Sequence, residues 1–193
     1  MPVAFTEEKQ QQIYCELCEV AMKRLIDTSY QNIKVEQLTQ AVGISKGAFY
    51  KFYPTKELFF YEILRLLHEE LLASALEEML VSDEITPDEA FCKALFACYD
   101  ILQTSEYRRF WMEDSWEIMN RLPEEQKQEQ YEAEKALLRK FLYRFGELAV
   151  DEDVAFDAIR TLITTAYNRN VLEPNYETIL RWMAQGVCDH IFK

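Results

Sequence analysis

Apolar positions recur every three to four residues along most of the chain. Ile13, Leu17, Val20, Ala21 and Leu25 keep i, i+3, i+4 spacing, which predicts a first helix. Thr6 can cap it, Glu7 and Glu8 suit its first turn, and the pattern carries it to about Thr28. Two short helical pieces follow, at about 35–42 and 45–53, with Gly43 between them where the backbone must turn tightly. Pro54 stops the second piece. Thr55 then caps a long fourth helix, KELFFYEILRLLHEELLASALEEML, which carries a wide apolar stripe.

The later starts are equally plain. Thr86-Pro87-Asp88-Glu89 reads as a capping box with proline at the first helical position. Ser105-Glu106 opens a helix expected to reach about Arg121, and Pro123-Glu124-Glu125 opens one ending near Gly146. Asp151-Glu152-Asp153 starts a helix to about Asn170, and Pro174-Asn175 starts the last, to about Phe192. No strand alternation and no internal repeat is visible. The expected fold class is all-α, about nine helices, with an N-terminal helix-turn-helix part (1–55) and a C-terminal helical part (56–193).

Composition narrows the function. At 193 residues and 49% hydrophobic, with Gly 4 and Pro 5, the chain can bury a sizeable helical core. It has no apolar run of about 18 residues, so no membrane span is expected. The opening MPVAFTEEKQQQ lacks a basic-then-apolar leader, so a cytoplasmic location is expected. Cys15 and Cys18 form a lone C-x-x-C inside a helical pattern, and all five cysteines read as packed free thiols rather than ligands. His68 and His190 stand in no metal-binding spacing, and no phosphate loop or nucleophile elbow occurs. No metal, cofactor or enzymatic activity is expected.

Charge points to one surface. The chain carries −13, yet residues 1–60 balance, and the rest accounts for the whole excess. Between Gln37 and Lys56 there is no acidic residue, while Lys46, Lys51 and Lys56 recur there. A polyanion would be repelled by the body and admitted only at this stretch. The stretch also has the parts of a helix-turn-helix. Val35, Leu38, Ala41 and Val42 supply a buried stripe, Gly43 the turn, Ile44 a plug, Ser45 a cap, and Phe49 and Phe52 an anchor. Lys46, Gly47, Ala48, Tyr50 and Lys51 would remain outward, with small residues where backbone must come close to DNA. Lys56 in a helix's first turn is unfavourable for the dipole unless a phosphate sits there; the bland reading is a solvated lysine.

The segment VEQLTQAVGISKGAFYKFYPTKELF resembles the DNA-binding domain of the TetR family of transcriptional regulators, in its G-I-S-K-G-A-F-Y core and P-T-K-E helix start. The motif covers about residues 6–60; beyond it, only length and helix number match. The resemblance implies a homodimer that binds a double-stranded DNA operator and a small-molecule effector, with Ser45, Lys46, Gly47, Ala48 and Lys51 at base edges or phosphates, and Tyr50 and Lys56 clamping phosphates. The family pattern is departed from in three places: Ser29-Tyr30 precedes the second helix, Ile33 and Lys34 stand at its cap, and Thr39 replaces a common alanine. Lys34 either donates to phosphate or is merely solvated.

In the body, the last two helices carry apolar residues on more than one face. Ile159, Leu162, Ile163, Ala166, Ile179, Met183 and Val187 are therefore expected at a dimer interface. Phe96, Tyr99, Phe110, Trp111, Trp116 and Tyr167 are expected to line a largely apolar effector pocket, with ordinary core the plainer reading for each. Glu113 and Asp114, set between two tryptophans, read either as partners for a cationic aromatic ligand or as part of a charged outer face. The functional expectation is an effector-released repressor on a palindromic operator. The alternative is a helical protein-interaction module of the same fold without operator-specific binding.

Overall fold

The computed structural model describes residues 6–79, 86–167 and 175–193; among these the chain is all-α, with nine α-helices and no strand. The helices are α1 Glu7–Leu25, α2 Val35–Val42, α3 Lys46–Phe52, α4 Lys56–Met79, α5 Pro87–Thr104, α6 Ser115–Arg121, α7 Glu124–Phe145, α8 Glu152–Tyr167 and α9 Tyr176–Ile191. A 3₁₀ turn, Tyr30–Asn32, precedes α2, and a π-helical turn, Phe110–Asp114, leads into α6. None of the described helices is long and apolar enough to cross a membrane.

The chain forms two compact units: Met1–His68 with Ser105–Leu122, and Glu69–Thr104 with Pro123–Lys193. In the first, α1 buries Ile13, Leu17, Ala21 and Leu25, as its spacing predicts, and Thr6 accepts from the Lys9 amide at 3.3 Å. The helix stops at Leu25 rather than near Thr28. Its last carbonyls leave the helical ladder for a side chain from far along the sequence: Arg109 donates to the Leu25 oxygen at 3.0 Å and to the Asp27 oxygen at 3.2 Å. Beneath the helix-turn-helix runs a chain of edge-to-face or tilted rings, with Phe49, Tyr53, Phe59, Phe60, Tyr30 and Phe110 meeting at centroid distances of 5.0 to 6.3 Å.

The segment expected as one helix to Arg121 contains the π turn instead. The Ser115 amide donates to the Phe110 carbonyl, five residues back, and its hydroxyl takes the Trp111 carbonyl at 2.5 Å, the group an α-helix would have given to that amide.

The second unit packs α5, α7, α8 and α9 around Phe91, Leu95, Leu142, Phe156, Ile159, Leu162, Leu180 and Ile191. Its C-terminus is tied back by the Ala149 amide to the Ile191 carbonyl at 2.8 Å and the Lys193 amide to the Glu147 carbonyl at 3.0 Å.

Candidate nucleic-acid interface

The helix-turn-helix is built as its residues require. Gly43 ends α2 at φ 75°, ψ 28°, the left-handed conformation that costs a glycine nothing. Ser45 caps α3, accepting from the Ala48 amide at 3.1 Å, and Thr55 caps α4, accepting from the Leu58 amide at 3.2 Å. Phe49 is fully buried and anchors α3, while Phe52 is only half-buried. The inward face of α2 differs from the expected stripe. Val35, Leu38 and Thr39 are buried, Val42 is half-buried and Ala41 is exposed. Thr39 tolerates burial because its hydroxyl donates to the Glu36 carbonyl at 3.2 Å. At the α2 cap, Lys34 has no side-chain acceptor, but its amide donates to Gln37 Oε1 at 3.0 Å, which supplies the reciprocal half of a capping box.

The outward face of α3 consists of Lys46, Gly47, Tyr50 and Lys51, all exposed, with Ala48 half-buried. An added Cβ at Gly47 would meet only Ser45 Oγ, at 3.9 Å, so the protein's own packing does not demand a glycine there. A helical glycine that folding does not need costs about 0.5–1 kcal/mol, which makes sense where another molecule's backbone must come close.

The four lysines differ in what they have left to offer. Lys46 is ion-paired with Glu36, the acid just before the acid-free stretch, and lies 5.9 Å from the Tyr50 ring centre. That hydrogen bond holds the Lys46 pKa above and the Glu36 pKa below their usual ranges. Lys51 is exposed with no ionic or hydrogen-bonding partner among the described residues, and the Lys34 side chain is exposed too. Lys56 is half-buried and has partners of its own. Its ammonium donates to the Gln31 carbonyl at 3.0 Å and lies 5.2 Å from the Tyr30 ring centre and 5.7 Å from that of Phe60, where burial lowers its pKa.

Sequence reasoning missed what holds this head in place. Asp114, read as an outward carboxylate beside two tryptophans, is 5% exposed. Its two oxygens accept from the Ser29 hydroxyl at 2.7 Å and the Tyr30 amide at 2.9 Å. It thereby clamps the 3₁₀ turn that leads into α2. Around it, Glu117 accepts from Gln31, and Arg121 reaches Glu117 at 2.5 Å and Glu57 at 3.7 Å. The spacing of the W-M-E-D-S-W run gives no hint that one π turn aims its aspartate at residues 84 and 85 positions away.

The residues expected around an effector are dispersed. Phe110 and Trp111 are buried in the first unit, with the His68 ring 4.3 Å from that of Trp111. Trp116 is 73% exposed, so it faces solvent rather than a pocket. In the second unit Tyr99 is buried, and Phe96 is half-buried with the Arg181 guanidinium 4.3 Å from its ring centre. The Tyr167 side chain lies outside the described residues, as does that of Ala166. An open groove of about 370 Å³ lies between α1 and the end of α3, lined by Glu7, Gln10, Tyr14, Phe52 and Tyr53 among others, none of them in the expected effector set.

The expected dimer residues divide in the same way. Ile159 and Leu162 are fully buried in the protomer's own core, which corrects their assignment to an interface; Ile163 and Val187 are half-buried against that core. What α9 leaves open is the stripe Ile179, Trp182, Met183 and Gly186, at i, i+3, i+4 and i+7, with Trp182 70% exposed. An added Cβ at Gly186 would meet nothing within 4 Å, so this glycine too is not required by the protomer.

Solved structures with the same architecture are regulators of transcription. RolR in complex with the ligand resorcinol matches with a TM-score of 0.61 at 15% identity, over 94% of this chain and 90% of that one. NalD of Pseudomonas aeruginosa, the secondary repressor of the MexAB-OprM multidrug efflux pump, matches at 0.51 and 18%, over 97% and 99%. A TetR-like transcriptional regulator from Rhodococcus sp. RHA1 matches at 0.51 and 14%, over 94% and 96%. No protein-family model and no curated protein matches the sequence. The chain has, over nearly its full length, the fold of the TetR-family transcriptional regulators.

Proposed function

We propose that the protein is an effector-responsive transcriptional repressor, which binds a palindromic operator as a homodimer through α3. The observation that carries this is the outward face of α3. In a protein of charge −13, it presents Lys46, Tyr50 and Lys51 around a glycine that internal packing does not require. Lysines there release counterions from phosphates, Tyr50 offers a hydroxyl donor, and the small residues let the helix enter the major groove. Ser45 and Ala48, at the start of α3, and Lys34, at the start of α2, stand where helix ends meet the DNA backbone. Lys56 contributes by setting the α4 N-terminus and the Tyr30 turn, rather than as a free clamp.

The second copy covers the α9 stripe Ile179, Trp182, Met183 and Gly186, with glycine allowing two helices to close on one another. A two-fold dimer would place two recognition helices about 34–36 Å apart, one turn of DNA. The repressor role and the small effector are supported by what the structural relatives are described as doing, repression for NalD and resorcinol binding for RolR. Cytoplasmic location goes with this reading.

Gel retardation on the DNA upstream of its own reading frame tests the proposal. Sequence-preferring retention that competitor DNA does not remove is expected. Its absence even at low salt refutes it. Met183→Asp should convert the dimer to monomer in sedimentation and abolish retention without unfolding the head.

A further inference from the structure

The inward side of α7 changes character along its length. Its C-terminal half presents Leu138 and Leu142, both buried in the core of the second unit. One to three turns earlier come Gln126, Gln130 and Glu134, four residues apart, a row that winds away from the leucine side toward the start of the helix. Gln130 is 4% exposed. Its amide nitrogen donates to Glu134 Oε1 at 3.0 Å, and because a carboxylate only accepts, this bond sets which way the amide points. The carbonyl end, Oε1, is thereby left buried with no donor among the described residues, and so is Oε1 of Gln126 one turn before. A buried acceptor without a donor costs about 1–3 kcal/mol, and leucines at these positions would fold at least as well.

Among the described residues no donor reaches either oxygen. The Tyr131 hydroxyl is given to Asp157 at 3.2 Å. Arg160 stacks 5.4 Å from the Tyr131 ring centre and approaches Glu134 at 3.9 Å. Burial raises the Glu134 pKa despite that guanidinium. The stripe therefore leaves two buried acceptors open, within the part of the chain that carries the whole negative excess.

We infer that the Gln126–Gln130–Glu134 stripe of α7 is the polar end of the effector site, and that the effector is an organic ammonium compound bringing at least two N–H donors. The inference rests on the reading of the body as effector-binding. Side chains four residues apart on a helix lie about 5–6 Å apart, and two N–H···O bonds of about 2.9 Å let one ammonium bridge them. A carboxylate brings no donor for the two open oxygens and would be repelled by Glu134.

Calorimetric titration of the full chain with three probes of one shape tests this: 2-phenylethylamine, 2-phenylethanol and phenylacetate, which carry three, one and no donors. The amine should bind saturably, the alcohol about tenfold or more weakly, and the acid not at all. Gln130→Leu and Gln126→Leu should keep or raise the melting temperature while each weakens the amine about tenfold. The inference is overturned if the acid binds as well as the amine, if both variants bind the amine unchanged, or if no saturable amine binding occurs, in which case ordered water serves the two carbonyls. Operator retention is measured on the same samples. DNA binding without amine binding sinks this inference alone, and amine binding without DNA binding sinks the regulator reading alone.

Discussion

Removing the Asp114 carboxylate should loosen the helix-turn-helix, although it lies about sixty residues away from α3 in sequence. In Asp114→Ala the Ser29 hydroxyl and the Tyr30 amide both lose their acceptor. The hydroxyl is partly buried and can turn to water, so that bond is worth the lower end of the range for a charged acceptor, about 1.5 kcal/mol. The amide is buried and becomes an orphan, at a cost of about 1–3 kcal/mol. A loss of about 3 kcal/mol follows, out of a total stability of about 5–15 kcal/mol. Asp114→Asn isolates the chemistry from the volume. Its carbonyl can keep the Tyr30 amide while its NH2 donates to the Ser29 hydroxyl, which turns to accept, so only the charge is lost and the cost should fall to about 1 kcal/mol. Urea unfolding read by tryptophan fluorescence is the assay, because Trp111 is 7% exposed and lies in the same unit, whereas Trp116 and Trp182 are exposed. An alanine variant within about 0.5 kcal/mol of the parent would refute the clamp.

The remaining predictions concern charge, glycine and pH. Gly47→Ala should stabilise the protein by about 0.5 kcal/mol, since an added methyl meets only Ser45 Oγ at 3.9 Å, while weakening operator binding about tenfold; equal DNA affinity would remove the case for close approach. Glu36→Gln should release Lys46, raise DNA affinity and steepen the salt dependence by about 0.9 in log–log slope, with folding unchanged; an unaltered slope would show that Lys46 contacts no phosphate. Burial against Trp111 lowers the His68 pKa from 6.5 to about 4. In that interval the unfolded chain takes up a proton that the folded one refuses, so stability falls as pH drops from 6.5 to 4, by at most about 3 kcal/mol. His68→Phe keeps a ring against Trp111 and should flatten that part of the stability profile, measured by urea unfolding at each pH.

Much of the fold was legible because its signals are local. Thr6, Ser45, Thr55, Gly43 and Pro54 mark helix ends by what their own side chains or backbones can do, and each stands at the boundary it announces. The outward lysines and tyrosine of α3 were legible for the same reason. What stayed hidden depends on contacts distant in sequence. The end of α1 is set by Arg109, the turn before α2 by Asp114, and the place of Lys56 by the Gln31 carbonyl and two rings. In the last two helices, periodicity showed two apolar faces but not which one the protomer uses. Ile159 and Leu162 fell to the core, and Trp182 and Gly186 to the open side. The Gln126–Gln130 stripe was invisible, since glutamines on a charged helix read as solvated surface until burial is known.

Selection from a random duplex library at low salt, followed by footprinting of the enriched sites, tests most directly whether α3 reads DNA. The expected result is an inverted repeat with two protected half-sites on one face of the duplex, about 34–36 Å apart, and loss of both when Lys51, exposed and without a partner among the described residues, becomes alanine. A library that yields no enriched sequence, or a footprint indifferent to Lys51→Ala and Gly47→Ala alike, would contradict it.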